Sequence, residues 1–123
     1  MRPCLIKDID GVFSKYIRQK ELTDGYCNCF TCGKNMRYSE AQCGHYISRR
    51  HMILRWSEDN CHIQCNACNL ELQGNLEVYR EKLIDLYGLE KVEKMEQMRF
   101  QEANFSKSEL LELFKKYKNL VRI

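Results

Sequence analysis

The chain of 123 residues has no run of even ten consecutive apolar residues. That excludes a membrane-spanning helix and the apolar segment of a signal peptide. It has no fixed-period repeat and no low-complexity tract, so solenoid and linker architectures drop out. Oil is also scarce. Eight of the 54 hydrophobic residues are cysteines, and the remaining 46 make up about 37% of the chain. Such a chain forms one domain and not two full cores. Disorder is excluded as well, because 13 aromatic residues accompany a mixed-sign charged fraction of 30%.

What the chain does have is cysteine. Seven of the eight (Cys27, Cys29, Cys32, Cys43, Cys61, Cys65 and Cys68) fall within 42 residues, and the last 55 residues have none. Without a secretory signal, such clustering implies a reducing compartment, where paired cysteines are metal ligands more often than disulfides. The eighth, Cys4, is expected to be a packed or free thiol.

Periodicity divides the chain. Leu5, Ile9, Val12, Phe13, Tyr16 and Ile17 recur at helical spacing and predict a helix over 4–21, ended by a turn at Thr23-Asp24-Gly25. Over 26–74 helical periodicity vanishes, and short strands are expected around Gly44–Ile47 and Cys61–Gln64. From Asn75 the chain reads as helical again. One stripe is Leu76, Tyr79, Leu83, Leu86 and Tyr87, stopped at Gly88. A second helix starts near Leu89 and uses Val92, Met95 and Met98. A third follows the capping box Ser106-Lys107-Ser108-Glu109, with Leu110, Leu111, Phe114, Tyr117 and Val121 as its stripe. The expected organisation is a single α+β domain over 1–123: an N-terminal helix (1–25), a zinc-stabilised core (26–74) and a helical extension (75–123).

Charge is local. Residues 34–55 carry Lys34, Arg37, Arg49, Arg50 and Arg55 against Glu40 alone, a net of +4, whereas 1–26 and 75–123 each carry +1. A basic strip beside the cysteines suits phosphate contact even in a chain of net charge +3. Arg49, Arg50 and Arg55 are the candidate DNA-binding residues, since the guanidinium fork matches a phosphate.

Cys29-Phe-Thr-Cys32 and Cys65-Asn-Ala-Cys68 are two CxxC knuckles, which together supply the four thiolates of a closed, structural zinc site. The 32 residues between them exceed the commonest ribbon spacing, so a substantial insert lies there. Cys27, Cys43 or Cys61 could replace a knuckle ligand. The insert contains His45 and Asn60, and Asn69 follows the last knuckle cysteine. On a hairpin followed by a helix these three converge. Trp56 is expected in the core, and His51 and His62 as supporting or surface residues.

The pattern C-x2-C…H…N-x4-C-x2-C-N resembles the HNH (ββα-metal) nucleases in their zinc-stapled form. The longer string Cys43-Gly-His-Tyr-Ile-Ser-Arg-Arg-His51, Leu54-Arg-Trp56, Asn60, Gln64-Cys65-x2-Cys68-Asn69 and Gly74-Asn75 resembles the phage NinG (Rap) recombination endonucleases over about residues 8–90. The resemblance implies a ββα-metal core and a DNA endonuclease. His45 would be the general base, Asn60 would tie the loop and orient His45 through a side-chain amide contact, and Asn69 would ligate a catalytic Mg2+ or Mn2+ distinct from the zinc. Branched recombination intermediates (D-loops and Holliday junctions) are the implied substrates. The implied setting is phage-encoded protein in the bacterial cytoplasm, and cutting both strands of a symmetric junction would suit a homodimer. Many HNH nucleases carry an Asp or His ligand just before the base. Here Gly44 stands there, which leaves Gln42, Glu40, His51 and His62 as candidates for the second ligand. The competing expectations are a non-catalytic zinc ribbon that binds nucleic acid and a zinc-stapled protein-interaction module.

Overall fold

A computed structural model describes residues 3–122, with the side chains of Pro3 and Cys4 outside the described part, so the expectation for Cys4 lies outside the described residues. In chain order the elements are α1 (Pro3–Gln19), β1 (Tyr26–Asn28), β2 (Asn35–Arg37), β3 (Gln42–His45), α2 (Met52–Arg55), β4 (Cys61–Gln64), α3 (Leu76–Tyr87), α4 (Leu89–Met98) and α5 (Lys107–Leu120). The mixed α+β class follows.

Helix α1 forms for the reason its sequence announces. Leu5, Ile9, Phe13 and Ile17 line one face and are all buried. They pack with Leu110 and Tyr117 of α5, and with Trp56 and Cys61. The ring of Phe13 meets that of Tyr117 edge-on at 5.0 Å. Both halves of the α5 capping box are made: Glu109 N donates to Ser106 Oγ at 3.1 Å, and Ser106 N donates to Glu109 Oε1 at 3.0 Å.

Two small antiparallel sheets fall between these helices in chain order. In β1–β2, Cys27 pairs with Met36, and in β3–β4, Gly44 pairs with His62 and His45 with Cys61. Phe30 N donates to Ile63 O at 2.8 Å and ties the two sheets together. The first strand of the second sheet therefore begins two residues before the expected Gly44. The turn at Thr23–Tyr26 is closed in both directions by backbone bonds, with Asp24 and Gly25 at φ 53° and 83°.

Two expectations need correction. The helix expected at the second knuckle is a five-residue π-helical turn, Ala67–Glu71, and the first regular helix beyond it is α3. Gln73, Gly74 and Asn75 then run consecutively in the left-handed region, and this sharp reversal stops any helix from continuing. The α3 stripe is also narrower than its sequence suggests. Tyr79 and Leu83 are buried, but Leu76 and Leu86 are exposed. Those two residues lie outside the arc that meets Ile47, Leu54, Val92 and Met95. Gly88 does end α3, at φ 91° with its N–H bonded to Ile84 O.

Candidate metal centre and adjoining cleft

The thiols of Cys29, Cys32, Cys65 and Cys68 all lie within 4.8 Å of one another. Cys32 Sγ and Cys65 Sγ stand 3.7 Å apart. Sulfurs held about 2.3 Å from one ion at tetrahedral corners are about 3.8 Å apart, so the spacing fits zinc. Each knuckle supports its first sulfur with its own backbone: Cys32 N reaches Cys29 Sγ, and Cys68 N reaches Cys65 Sγ, both at 3.5 Å. Thr31 Oγ1 lies 3.3 Å from Cys29 Sγ, and Asn75 Nδ2 donates to Cys68 Sγ at 3.6 Å. Burial opposes ionisation of Cys29, but the amide donors of Cys32, Cys65 and Thr31 and the Thr31 hydroxyl outweigh it, holding that thiol near 6. These four cysteines are positioned to bind a structural zinc ion. Cys27, Cys43 and Cys61 are not part of the set.

Beside this centre a cleft of about 480 Å³ opens between α1, β3 and the π-helical turn. Asp10, His45, Arg49 and Asn69 are among the residues that line it. His45 ends β3, and its Nε2 lies 2.9 Å from the carbonyl oxygen of Arg55. A carbonyl only accepts, so Nε2 carries the hydrogen and the lone pair of the neutral ring sits on Nδ1. Burial pushes the pKa of His45 below 6.5. The charges of Arg49 and Arg55 add to this, against opposing effects of the Arg55 carbonyl and Asp10. Asn69 Nδ2 donates to Gln42 Oε1 at 2.8 Å, and Gln42 Nε2 donates to Asn66 Oδ1 at 3.1 Å. The Asn69 carbonyl oxygen is thereby left over as an acceptor.

Asn60 is fully buried and ties the β3–β4 connection as expected. Its Oδ1 accepts from Ile47 N at 2.8 Å, while Nδ2 donates to Ile47 O at 2.9 Å and Leu54 O at 3.1 Å. The expected side-chain contact to His45 is not made, because both ends of the amide are taken by the backbone of Ile47 and Leu54. Its bond to Leu54 O instead holds the end of α2, where Arg55 O accepts from His45.

Arg55, expected among the DNA-binding residues, is paired within the chain. Its guanidinium is bonded through two nitrogens to the Asp10 carboxylate, and its side chain is 17% exposed. A phosphate would have to compete with that carboxylate, so the Arg55 charge is paired with Asp10 rather than free. Trp56 Nε1 donates to the same carboxylate at 2.8 Å. Arg49, at 64% exposure, stands only 4.0 Å from Asp10, and Arg50 is exposed.

The candidates for a second metal ligand separate cleanly. Gln42 touches Asn69. Glu40 is exposed and accepts from Arg37 N. His51 is half-buried at the position before α2, and its side chain makes no capping bond to the helix. His62 is buried, stacked on Phe30 at 4.2 Å, with its nitrogens near the hydroxyls of Tyr79 and Tyr87, and burial pushes its pKa down to about 4. It is a core histidine. Gly44 is empty for a steric reason: a Cβ there would lie 1.9 Å from Gln64 Oε1.

Sequence reasoning missed Asp10, the hub of the cleft's ion pairs. Its spacing on α1 is that of any boundary residue, and only its partners 39–46 positions later give it meaning. It also missed that Cys43 and Cys61 group with His45.

Among the described residues no helix is long and apolar enough to cross a membrane. No solved structure matches the chain significantly. Over 92 residues, 74% of its length, it is 34% identical to the protein ninG of Escherichia phage 933W and to that of Escherichia phage lambda, covering 44% and 43% of those proteins. It is 33% identical over the same share to the protein ninG of Salmonella phage P22. The chain thus spans less than half the length of these curated relatives. The model of the Bacteriophage Lambda NinG protein family matches residues 2–123, and with these relatives it shows that the chain belongs to the NinG family.

Proposed function

We propose that the chain is a metal-dependent DNA endonuclease of the HNH type, with the β3–β4 hairpin and the π-helical turn standing as a shortened ββα core. The observation that carries this reading is that His45 and Asn69 line one cleft, with the imidazole held so that Nδ1 has the free lone pair. In this reading His45 takes the proton from an attacking water, a contribution of about 10²–10⁴ in rate. Its lowered pKa keeps it in the neutral, basic form at pH 7. Asn60 keeps the Arg55 carbonyl in place, and Arg49 and Arg50 hold flanking phosphates. The Asn69 oxygen, with Gln42 beside it, would hold Mg2+ or Mn2+, since amide oxygens suit a hard ion that retains most of its waters. When bound, that ion stabilises charge on the leaving 3′ oxygen. Branched recombination intermediates are the proposed substrates, and the bacterial cytoplasm the proposed setting.

The test is incubation of purified protein with labelled junction, D-loop and linear duplex DNA, in Mg2+, Mn2+ or EDTA. Metal-dependent nicking is expected, strongest on branched DNA and lost in His45→Ala while zinc and fold persist. Undiminished cleavage by His45→Ala would remove the base. Binding without cleavage in every metal would favour a non-catalytic zinc ribbon.

A further inference from the structure

A second group of side chains able to hold a metal, separate from the zinc knuckles, includes His45 itself. Cys43, His45 and Cys61 each offer a ligand atom within 4.8 Å of the other two. The cause is strand register. His45 pairs directly with Cys61 across β3–β4, and Cys43, two residues back on β3, projects from the same face. The Arg55 carbonyl accepts from His45 Nε2 at 2.9 Å and from Cys61 Sγ at 3.9 Å, which fixes the ring and the thiol beside each other. Cys61 is fully buried, whereas Cys43 is half-buried and borders the cleft.

We propose that Cys43, Cys61 and His45 form a second, soft-metal site, and that Zn2+ bound there takes the lone pair of His45 and switches the cleft off. Two thiolates and one imidazole are the donor set of an open zinc site, with three protein ligands and a fourth position for water. Here that fourth position would face the cleft. Two thiolates also balance the ion's charge, so a half-buried pocket accepts it without a net cost in charge. Thiolates select zinc over Mg2+ or Mn2+, so the site would not collect the hard ion assigned to Asn69. The bond from His45 Nε2–H to a backbone carbonyl is the outer-shell contact that metal-bound histidines usually make. None of the three residues belongs to the four-cysteine staple. The switching half of the proposal rests on the nuclease reading. The site itself does not.

The full chain, kept reduced and carrying its staple zinc, would be dialysed against low micromolar Zn2+ and weighed by native mass spectrometry. Two zinc ions per chain are expected for the parent and one for Cys43→Ala, a half-buried position chosen to spare the fold. In parallel, Zn2+ should slow alkylation of Cys43 in the parent, a readout that needs no variant. One ion per chain in the parent, or two in both proteins, overturns the site, as does alkylation indifferent to Zn2+. In Mg2+, nicking by the parent should be suppressed by Zn2+. The concentration that halves each protein's own rate should rise at least about tenfold in Cys43→Ala, since even outer-shell losses cost about 10–100-fold in metal affinity. Equal sensitivity overturns the switch. A parent that nicks nothing in any metal sinks the nuclease reading instead, and the zinc count still decides the site.

Discussion

The side chain of Gln64 occupies the space where Gly44 has none. A Cβ on Gly44 would come within 1.9 Å of Gln64 Oε1 and 2.8 Å of its Cγ. Gln64 is fully buried and cannot swing away, because its Nε2 donates to Gly74 O at 2.8 Å and Thr31 Oγ1 at 3.2 Å. One amide therefore links the hairpin, the first zinc knuckle and the reversal after the π-helical turn. Its Oε1 has no partner among the described residues.

Gly44→Ala should accordingly destabilise the protein by about 1–3 kcal/mol, the usual cost of overpacking a filled site. Gln64→Ala should make room, so the double variant should lose less than the two single changes summed. Urea denaturation of the four proteins measures this. Strict additivity would show that the two positions do not compete for the same volume.

Removing zinc should cost far more than any single packing change. Structural zinc contributes roughly 10–16 kcal/mol of apparent binding free energy in zinc peptides, against a thin core here. Cys65→Ser should lose the ion and unfold both hairpins. Cys27→Ser, outside the ligand set, should keep a full zinc content. Metal analysis and circular dichroism check both, and a Cys65→Ser melting curve matching that of the parent would reject the staple.

Two histidines should titrate apart, because burial lowers both but differently. His62, down at about 4, stays neutral in the folded chain long after it would charge in the unfolded one. Its contribution to stability is thus complete above pH 6.5 and drains away as pH falls from 6.5 towards 4. NMR titration of the ring protons reads this directly. Nicking should follow His45 instead, rising with pH up to its pKa below 6.5 and level above. An inflection above 6.5 in the rate profile would contradict a buried base.

The arginines should divide by role. Arg55→Ala breaks the bonds to Asp10 and should cost about 1.5–3 kcal/mol, the range for hydrogen bonds to charged groups. Although burial works the other way, the Arg55 and Trp56 bonds hold the Asp10 carboxyl below its usual range. Its stabilisation is present above the unfolded carboxyl's pKa and is lost as pH falls through the lower folded value. Arg49→Ala and Arg50→Ala should leave stability within about 0.5 kcal/mol. Each should instead weaken DNA binding and reduce the salt slope of the binding constant by about 0.9 for every phosphate no longer neutralised. Salt-dependent binding assays separate the two groups.

How far the linear chain announced all this differs by region. The α1 stripe, most of the α5 stripe (Leu111 is exposed instead), the α5 capping box and the Gly88 stop were legible, because each depends on neighbours within a turn or two. The knuckles were legible because two-residue spacing alone lets a pair of thiols reach one ion. Arg55 read as a free cation because its partner lies 45 positions away on α1. His62 gave no sign of its aromatic cage, which α3 and the first knuckle assemble from Phe30, Tyr79 and Tyr87.

Taken alone, the order of residues determined which side chains are chemically able to act: four thiols in two pairs, three histidines in the insert, carboxamides at 60 and 69, and a basic strip at 34–55. Tertiary structure decided which of them meet. Strand register set Cys61 beside His45, α1 brought Asp10 to neutralise Arg55, and Gln64 closed the space at Gly44. Composition and spacing constrain only contacts made within a few residues. Charge pairing, burial and ring tautomer depend on distances between segments far apart in the chain, and those exist only once it has folded.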